Sequence, residues 1–408
     1  MRAPESLEVL RDRPYRLLFA GQAVSLLGDG MVNVALAFAV LSVGGSASGI
    51  GAVLAARTVP TLAFLLAGGV VADRVPRRAV MLAADLARVL GQGTIAVLLL
   101  TGGAAVWSLA ALSAVSGLAS AFFDPASTGL LPSVVAPERL QQANALRGLA
   151  MAGGAVAGPA LAGLLVAGAG AGWALAADAA TFAVSAACLA RLPVPPGDRL
   201  EAGGFWRDLR EGWRVFVRRD WLWSIVVSAS LGNALFGAYG VLGPVVAHRS
   251  LGGAAAWALI SAALGAGSFV GGLVALRIRP ARPLLVGTVA VALLALPLAC
   301  LAARVPAGFT AAGALVGGLG LMVFNSLWET TLQRHVPPAA LSRVSAYDWF
   351  GSLALTPVGY ALWGPVAAAI GLSDALWLAA VLQVATVAPL LALRSVRRLP
   401  PAPAPAGA

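Results

Sequence analysis

Asp29 and Arg57 are an acid and a base in stretches with almost no other charge, "SLLGDGMVNVALAFAVL" and "GAVLAARTVPTLAFLLAGG". In apolar surroundings such a pair can hold two segments together. It can also exchange a proton, because burial favours the neutral acid and a nearby guanidinium favours the carboxylate. Inside a membrane helix an ionisable group costs roughly 2.5–3.5 kcal/mol on insertion scales, so it has a partner or a task. Asp29 and Arg57 are therefore the candidates for proton coupling. Asp85 and Arg88 share a helix face at i,i+3 spacing and read as a structural pair. Asp178 reads as a gate or an interfacial residue, Glu329 and Asp348 as solvated or capping residues. His248 and His335 are too few and too far apart for a metal site. With no glycine-rich phosphate loop, paired catalytic carboxylates or histidine cluster, the chain is expected to be no enzyme and no ATP-driven pump. No cofactor is expected; the energy source would be a proton gradient.

The elements that carry these residues follow from composition. Of 408 residues, 59% are hydrophobic and only 11% charged, against about 25% charged in soluble domains. A run of about 20 apolar residues crosses a bilayer as a helix. Twelve such windows can be marked, roughly 15–42, 48–72, 79–101, 105–130, 145–168, 172–192, 221–246, 254–276, 283–303, 307–330, 345–369 and 374–394. The fold class is an all-α polytopic membrane protein. All 28 basic residues are arginine. On this map they gather in the N-tail, in alternate loops, in the middle segment and in the C-tail. Only Arg249 and Arg304 fall on the other side, and Arg57 and Arg88 lie within spans. Excess arginine marks cytoplasmic loops, so both termini are expected in the cytoplasm of a cell-membrane protein. The arginines form a membrane-flanking collar toward lipid, which argues against nucleic acid as the reason for the +11 charge. The first apolar stretch is too long for a cleavable signal peptide. Cys188 and Cys300 sit in mid-span, so no disulfide framework is indicated.

Two halves flank a hinge. Residues 1–14 form an N-tail, 15–192 a first six-helix half, 193–220 a linker, 221–394 a second half and 395–408 a low-complexity tail. Within the linker, Phe205, Leu209, Trp213 and Phe216 recur at helical spacing between charges, as in an amphipathic helix on the inner leaflet. The halves repeat at a nearly constant offset of about half the chain. "SLLGDG" answers "SLGNA", pairing Asp29 with Asn233. "GGVVADR" answers "GGLVALR", pairing Asp73 with Leu276. "FFDPASTGLLPSVVAPERLQQANAL" answers "VFNSLWETTLQRHVPPAALSRVSAY", pairing Asp124 with Asn325 and Pro137 with Pro338. Internal repeats around a midplane site are a mark of secondary transporters.

Twelve spans in two repeated halves, with Gly69-Val-Val-Ala-Asp73-Arg74-Val-Pro76-Arg77-Arg78 between the second and third, resemble the major facilitator superfamily. Its loop signature is G-x-x-A-D-R-x-G-R-R/K; Pro76 stands where the family usually has Gly. The resemblance implies a cytoplasmic latch between helices 2 and 11, with Gly69 allowing close helix approach and Asp73 facing the positive end of helix 11. Arg74, Arg77 and Arg78 would contact acids and lipid phosphates, with Asp124 one such acid. Helix 5 carries Gly154-Ala-Val-Ala-Gly158-Pro159-Ala-Leu-Ala-Gly163, which resembles the G-x-x-x-G-P-x-x-G-G stretch of the drug:proton antiporter branches, with Ala162 for one Gly. "LLGDGMVNVAL" and "RLQQANAL" are similar to macrolide-efflux and siderophore-export members. The family's arginine in helix 4 is absent here.

The branch resemblance implies proton-coupled efflux; the alternative is an uptake symporter of a small solute on the same fold. Candidate cavity residues are Asn33, Asn233, Tyr239, Asn325 and Trp328, with the aromatics Phe38, Phe236 and Phe324. An aromatic, Asn/Gln-poor lining suits a lipophilic, drug-like substrate. The expected partners are that substrate, protons and membrane lipids, with the transporter acting as a monomer.

Overall fold

The computed structural model describes residues 9–193, 213–397 and 399. Among these, twelve helices are long and apolar enough to cross a membrane, which makes the chain a multi-pass membrane protein. They are α1 (Arg13–Ser42), α2 (Ala47–Arg74), α3 (Arg77–Thr101), α4 (Val106–Val134), α5 (Leu140–Ala169), α6 (Ala171–Ala190), α7 (Asp220–Val246), α8 (Ala254–Arg277), α9 (Pro283–Ala302), α10 (Ala307–His335), α11 (Pro338–Leu353 and Thr356–Ile370) and α12 (Leu372–Ala392). Each falls on one of the expected windows, and several run a turn or more longer. α9 tightens to a 3₁₀ turn at Ala292–Leu294 just before Pro297, and α11 breaks before Pro357. Proline lacks the amide hydrogen that would continue the ladder. Below, the side from which α1 starts is the near side and its opposite the far side.

The chain divides into two compact units. One comprises Met1–Glu201 with Ala247–Ala262, the other Ala202–Val246 with Ala263–Ala408. In the first unit α1 packs on α5 and α6, α3 on α4 and α6, and α2 on α4. In the second, α7 packs on α11 and α12, and α9 on α10 and α12, which is the same scheme six helices later. Hydrocarbon gives no hydrophobic reason for helices to associate, so close backbone approach at small residues does the work. At the α2–α4 crossing, a Cβ on Gly117 would overlap the Arg57 carbonyl and one on Gly68 the Ala121 carbonyl. The second unit repeats this where α8 crosses α10, with Gly318 on the Leu264 carbonyl and Gly267 on that of Leu315. Each crossing also has a hydroxyl on the facing glycine carbonyl. Thr61 Oγ1 donates to Gly117 O at 2.9 Å and Ser268 Oγ to Gly318 O at 3.3 Å. The links α5–α6 and α11–α12 are both made by one glycine with positive φ, Gly170 at 95° and Gly371 at 96°. A side chain would be strained there.

Of the expected surface helix in the linker, residues 205–212 lie outside the described residues. From Trp213 to Val217 the chain is helical, but Phe216 is buried in protein rather than turned to lipid. It joins a core with Trp221, Leu222, Trp328 and Val344, and Trp213 stacks on it at 5.7 Å while meeting Tyr347 of α11 at 5.4 Å. The end of the linker is thus pinned by aromatic packing to the start of α11.

Candidate functional site

Counting about 1.5 Å per residue from the turn between α1 and α2, Asp29 lies about 20 Å and Arg57 about 15 Å below the far side. Arg57 Nη2 donates to Asp29 Oδ1 at 3.3 Å. The side chains are 20% exposed for Arg57 and 33% for Asp29, so the pair is neither dry nor open. One turn beyond Asp29 on the same face, Asn33 is exposed in a stretch where Met31–Val40 are otherwise buried. Asp29, Arg57 and Asn33 therefore share an accessible polar strip in the middle of an apolar helix.

Three backbone contacts aim this strip. Arg57 is held where its carbonyl presses on Gly117 of α4. A Cβ on Gly30 would overlap the Gly154 carbonyl of α5, and one on Gly158 would stand 2.6 Å from Gly30 Cα. The glycines of the helix 5 signature thus let α5 touch the turn of α1 that carries Asp29. Behind the same turn, Gly28 faces Asp178 and Thr181 of α6. Farther along, Gly163 lies against Ala258 of α8.

A second polar cluster lies inside the first unit. Asp85 and Arg88 pair at 3.7 Å, both buried. Arg88 Nη2 donates to Ser120 Oγ at 2.9 Å, and its guanidinium sits over the Phe123 ring at 4.6 Å and the Phe182 ring at 5.0 Å. Cation–π contacts of this kind are favoured where the charge has lost water. Asp178, expected at a gate or interface, is instead fully enclosed between α1, α3 and α6. Gln22 Nε2 of α1 donates to Ser127 Oγ of α4 at 2.6 Å. No motif or spacing in the sequence singles out Gln22, Gln92 and Ser127. Their only signal was polarity in apolar helices.

At the near side, Arg77 Nη1 donates to the Gly129 carbonyl at 2.7 Å, and Arg78 donates to the carbonyls of Leu189 and Ala190 at the end of α6. A cation on the last carbonyls of a helix also meets the negative end of its dipole. Arg74 is exposed. The side chain of Asp73 lies outside the described residues. Gly69 has open space around it, and the glycine that allows the close approach of α2 is Gly68. Asp124 is exposed on α4, where the charges of Arg88, Arg147 and Arg57 act on it.

In the second unit Asn233, the counterpart of Asp29, donates to the Ser352 carbonyl at 2.9 Å. Tyr239 is buried and stacked on Phe236 at 4.9 Å, and Asn325 is half-buried. Trp328 is buried too, its Nε1 donating to Asp348 Oδ2 at 2.9 Å. Asp348, expected to be solvated or capping, is thus an interior acceptor, with Ser352 a second donor at 3.4 Å. Glu329 is exposed. The two units are alike in frame and unlike in charge: among the described residues the first buries the Asp85–Arg88 pair and Asp178, the second the single carboxyl Asp348 among amides and aromatics.

Residues 18–354 match the family model described as Major Facilitator Superfamily. An uncharacterised MFS-type transporter, y4rN, of Sinorhizobium fredii (strain NBRC 101917 / NGR234) is 29% identical over 261 residues, which are 58% of this chain and 60% of that protein. The aligned part thus spans less than two thirds of its relative. Among solved structures, the nucleoside transporter NupG superposes with a TM-score of 0.74 at 14% identity, covering 93% of this chain and 98% of that one. A bacterial homologue of the human lysosomal transporter Spinster superposes with a TM-score of 0.74 at 15% identity, covering 98% and 100%. At these identities the likeness speaks for the fold. With the family match over most of its length and its twelve apolar helices, the chain belongs to the Major Facilitator Superfamily and is a secondary transporter, not an enzyme.

Proposed function

We propose that this transporter exports lipophilic, drug-like or secondary-metabolite molecules in exchange for protons, by alternating access in the cell membrane with both termini in the cytoplasm. The observation that carries the proton-coupled reading is the half-exposed Asp29–Arg57 pair in mid-helix. A carboxylate held by a guanidinium can take a proton when the pair parts, and the charge left on Arg57 is what a cycle can use. Export rather than uptake is supported by the helix 5 signature Gly154, Gly158, Pro159, Gly163, whose glycines seat α5 on α1. The latch residues Gly69, Asp73, Arg74, Arg77, Arg78 and Asp124 would hold the cytoplasmic side. Asn33, Asn233, Tyr239, Asn325 and Trp328 would contribute to substrate contacts. The protein would work as a monomer with no cofactor.

The test is efflux from cells or vesicles of a panel of compounds, including ethidium and a macrolide, with and without a protonophore. Protonophore-sensitive extrusion of at least one lipophilic compound is expected. Accumulation that a protonophore abolishes would instead identify an uptake symporter. Orientation is checked separately. A reporter fused at the C-terminus is expected to be active only inside the cell, and one inserted at Gly102 or Gly253 only outside. The reverse pattern would invert the arginine-based topology.

A further inference from the structure

Asp178 is a buried ionisable residue for which the proposed cycle has no use. Its relative exposure is 0%, and neither carboxyl oxygen has a hydrogen-bond partner. A carboxylate so enclosed has lost water and gained nothing in return, an arrangement that costs several kcal/mol for an ion. The surroundings show what would relieve it. Gln92 of α3 reaches toward Asp178, and its Oε1 is also buried and without a partner. A protonated Asp178 carboxyl would supply the hydrogen that the Gln92 amide oxygen lacks. Gly28 of α1 closes the third side, where even a Cβ would overlap Thr181 Oγ1 and Asp178 Oδ1.

We propose that Asp178 is a proton-binding site inside the first unit, its O–H donating to Gln92 Oε1, and that its occupancy is governed by the charge of the Asp29–Arg57 pair on the other side of the α1 backbone. The groups that act on it are few. From α1 it faces Asp29, from α2 Arg57 and from α3 Arg88, with Asp85 farther along α3 and already paired to Arg88. α5 also packs on α6, but its Arg147 lies about 33 Å along the helix from the α5–α6 turn, whereas Asp178 is about 10 Å from it. While Arg57 neutralises Asp29, the site holds its proton on the acid. If Asp29 itself takes up a proton, its repulsion vanishes, Arg57 and Arg88 then favour the Asp178 carboxylate, and the proton leaves Asp178. One carboxyl loads as the other unloads, with the proton count of the pair conserved. The role in coupling rests on the proton-exchange reading of Asp29 and Arg57; the bound proton does not.

Infrared spectroscopy of the reconstituted full chain, titrated in pH, reads this directly through the carbonyl stretch of a protonated carboxyl. The wild type is expected to show a carboxylic-acid band at neutral pH that is lost at every pH in Asp178→Asn, and that in Asp29→Asn is weakened at neutral pH and returns on acidification. If the wild type has no such band, or Asp178→Asn keeps it in full, the site is refuted. Should Asp178→Asn not fold, Gln92→Leu leaves the acid and removes its acceptor. The band must then move to the frequency of a carboxyl with no hydrogen bond, and an unmoved band also refutes the site. Coupling is read from the band's titration midpoint. It is expected to fall in Asp29→Asn and to rise in Arg57→Gln, each by about one pH unit, the size of shift that nearby charges give. Midpoints that coincide with wild type in both variants would remove Asp178 from the coupling cycle while leaving it a proton site.

Discussion

In proteoliposomes carrying a proton gradient, Asp29→Asn is expected to abolish uphill transport while substrate still equilibrates downhill. The compound would be any that the efflux panel shows to be moved. One pH unit offers about 1.4 kcal/mol per proton, and 100 mV adds about 2.3. A neutral substrate exchanged for one proton can therefore be concentrated several-hundred-fold in the wild type. In the variant the accumulation ratio should collapse to about one, because asparagine fills the same space and cannot titrate. The 3.3 Å contact to Arg57 gives the competing explanation its test. If Asp29 serves only to neutralise Arg57, Asp29→Asn loses protein from the membrane and Arg57→Gln restores it. If Asp29 carries the proton, abundance stays and only the uphill ratio falls. Uphill transport persisting in Asp29→Asn would end the proposal. Asn233→Ala in the second unit, which removes an amide held on a carbonyl, is expected to change affinity and leave coupling intact.

The second large effect is expected from Gly158→Ala. An added methyl would stand 2.6 Å from both Cα and C of Gly30, well inside van der Waals contact, and the obstacle is backbone, which cannot rotate away. α5 must retreat from α1 or the helices must shift along each other. Overpacking of this kind costs about 1–3 kcal/mol. It falls at the turn carrying Asp29, so a drop of several degrees in the thermal midpoint should accompany a loss of transport. Gly153→Ala, one residue from Gly154 and with open space around it, is the control and should behave as wild type. A Gly158→Ala protein as stable and active as wild type would show that the α1–α5 contact is looser than described.

Much of this architecture was legible in the sequence, and the reasons are particular. Twelve apolar windows had to be helices because only helices satisfy their own backbone in lipid. Asp29 and Arg57 could be paired because two charges at similar depth in adjacent helices have few other ways to be neutral. The burial of Asp178 and Asp348 was not legible. Depth along a helix can be counted from its ends, but facing cannot when nearly every position is apolar and the helix has no polar side to contrast. The α2–α4 contact at Gly68 was hidden for the same reason, since neighbouring glycines differ by about 100° around the helix. The α2–α4 and α8–α10 crossings show where the repeat lives: in glycines and hydroxyls that set helix spacing.

Gly28, Asp29 and Gly30 form three consecutive positions that a library of all substitutions would treat in three different ways. At Gly28 any side chain displaces the Asp178 carboxyl, so losses should follow size but be partly reversed by a smaller residue at 178. At Gly30 the obstacle is the α5 backbone, so no second-site change of side chain can rescue it. At Asp29 abundance should survive isosteric replacement and function should not. Scored for both surface amount and resistance, the "GDG" triplet would separate into a compensable position, an uncompensable one and a purely functional one. That pattern would trace the path by which a lineage could acquire or lose an acid here: the glycines have to come first.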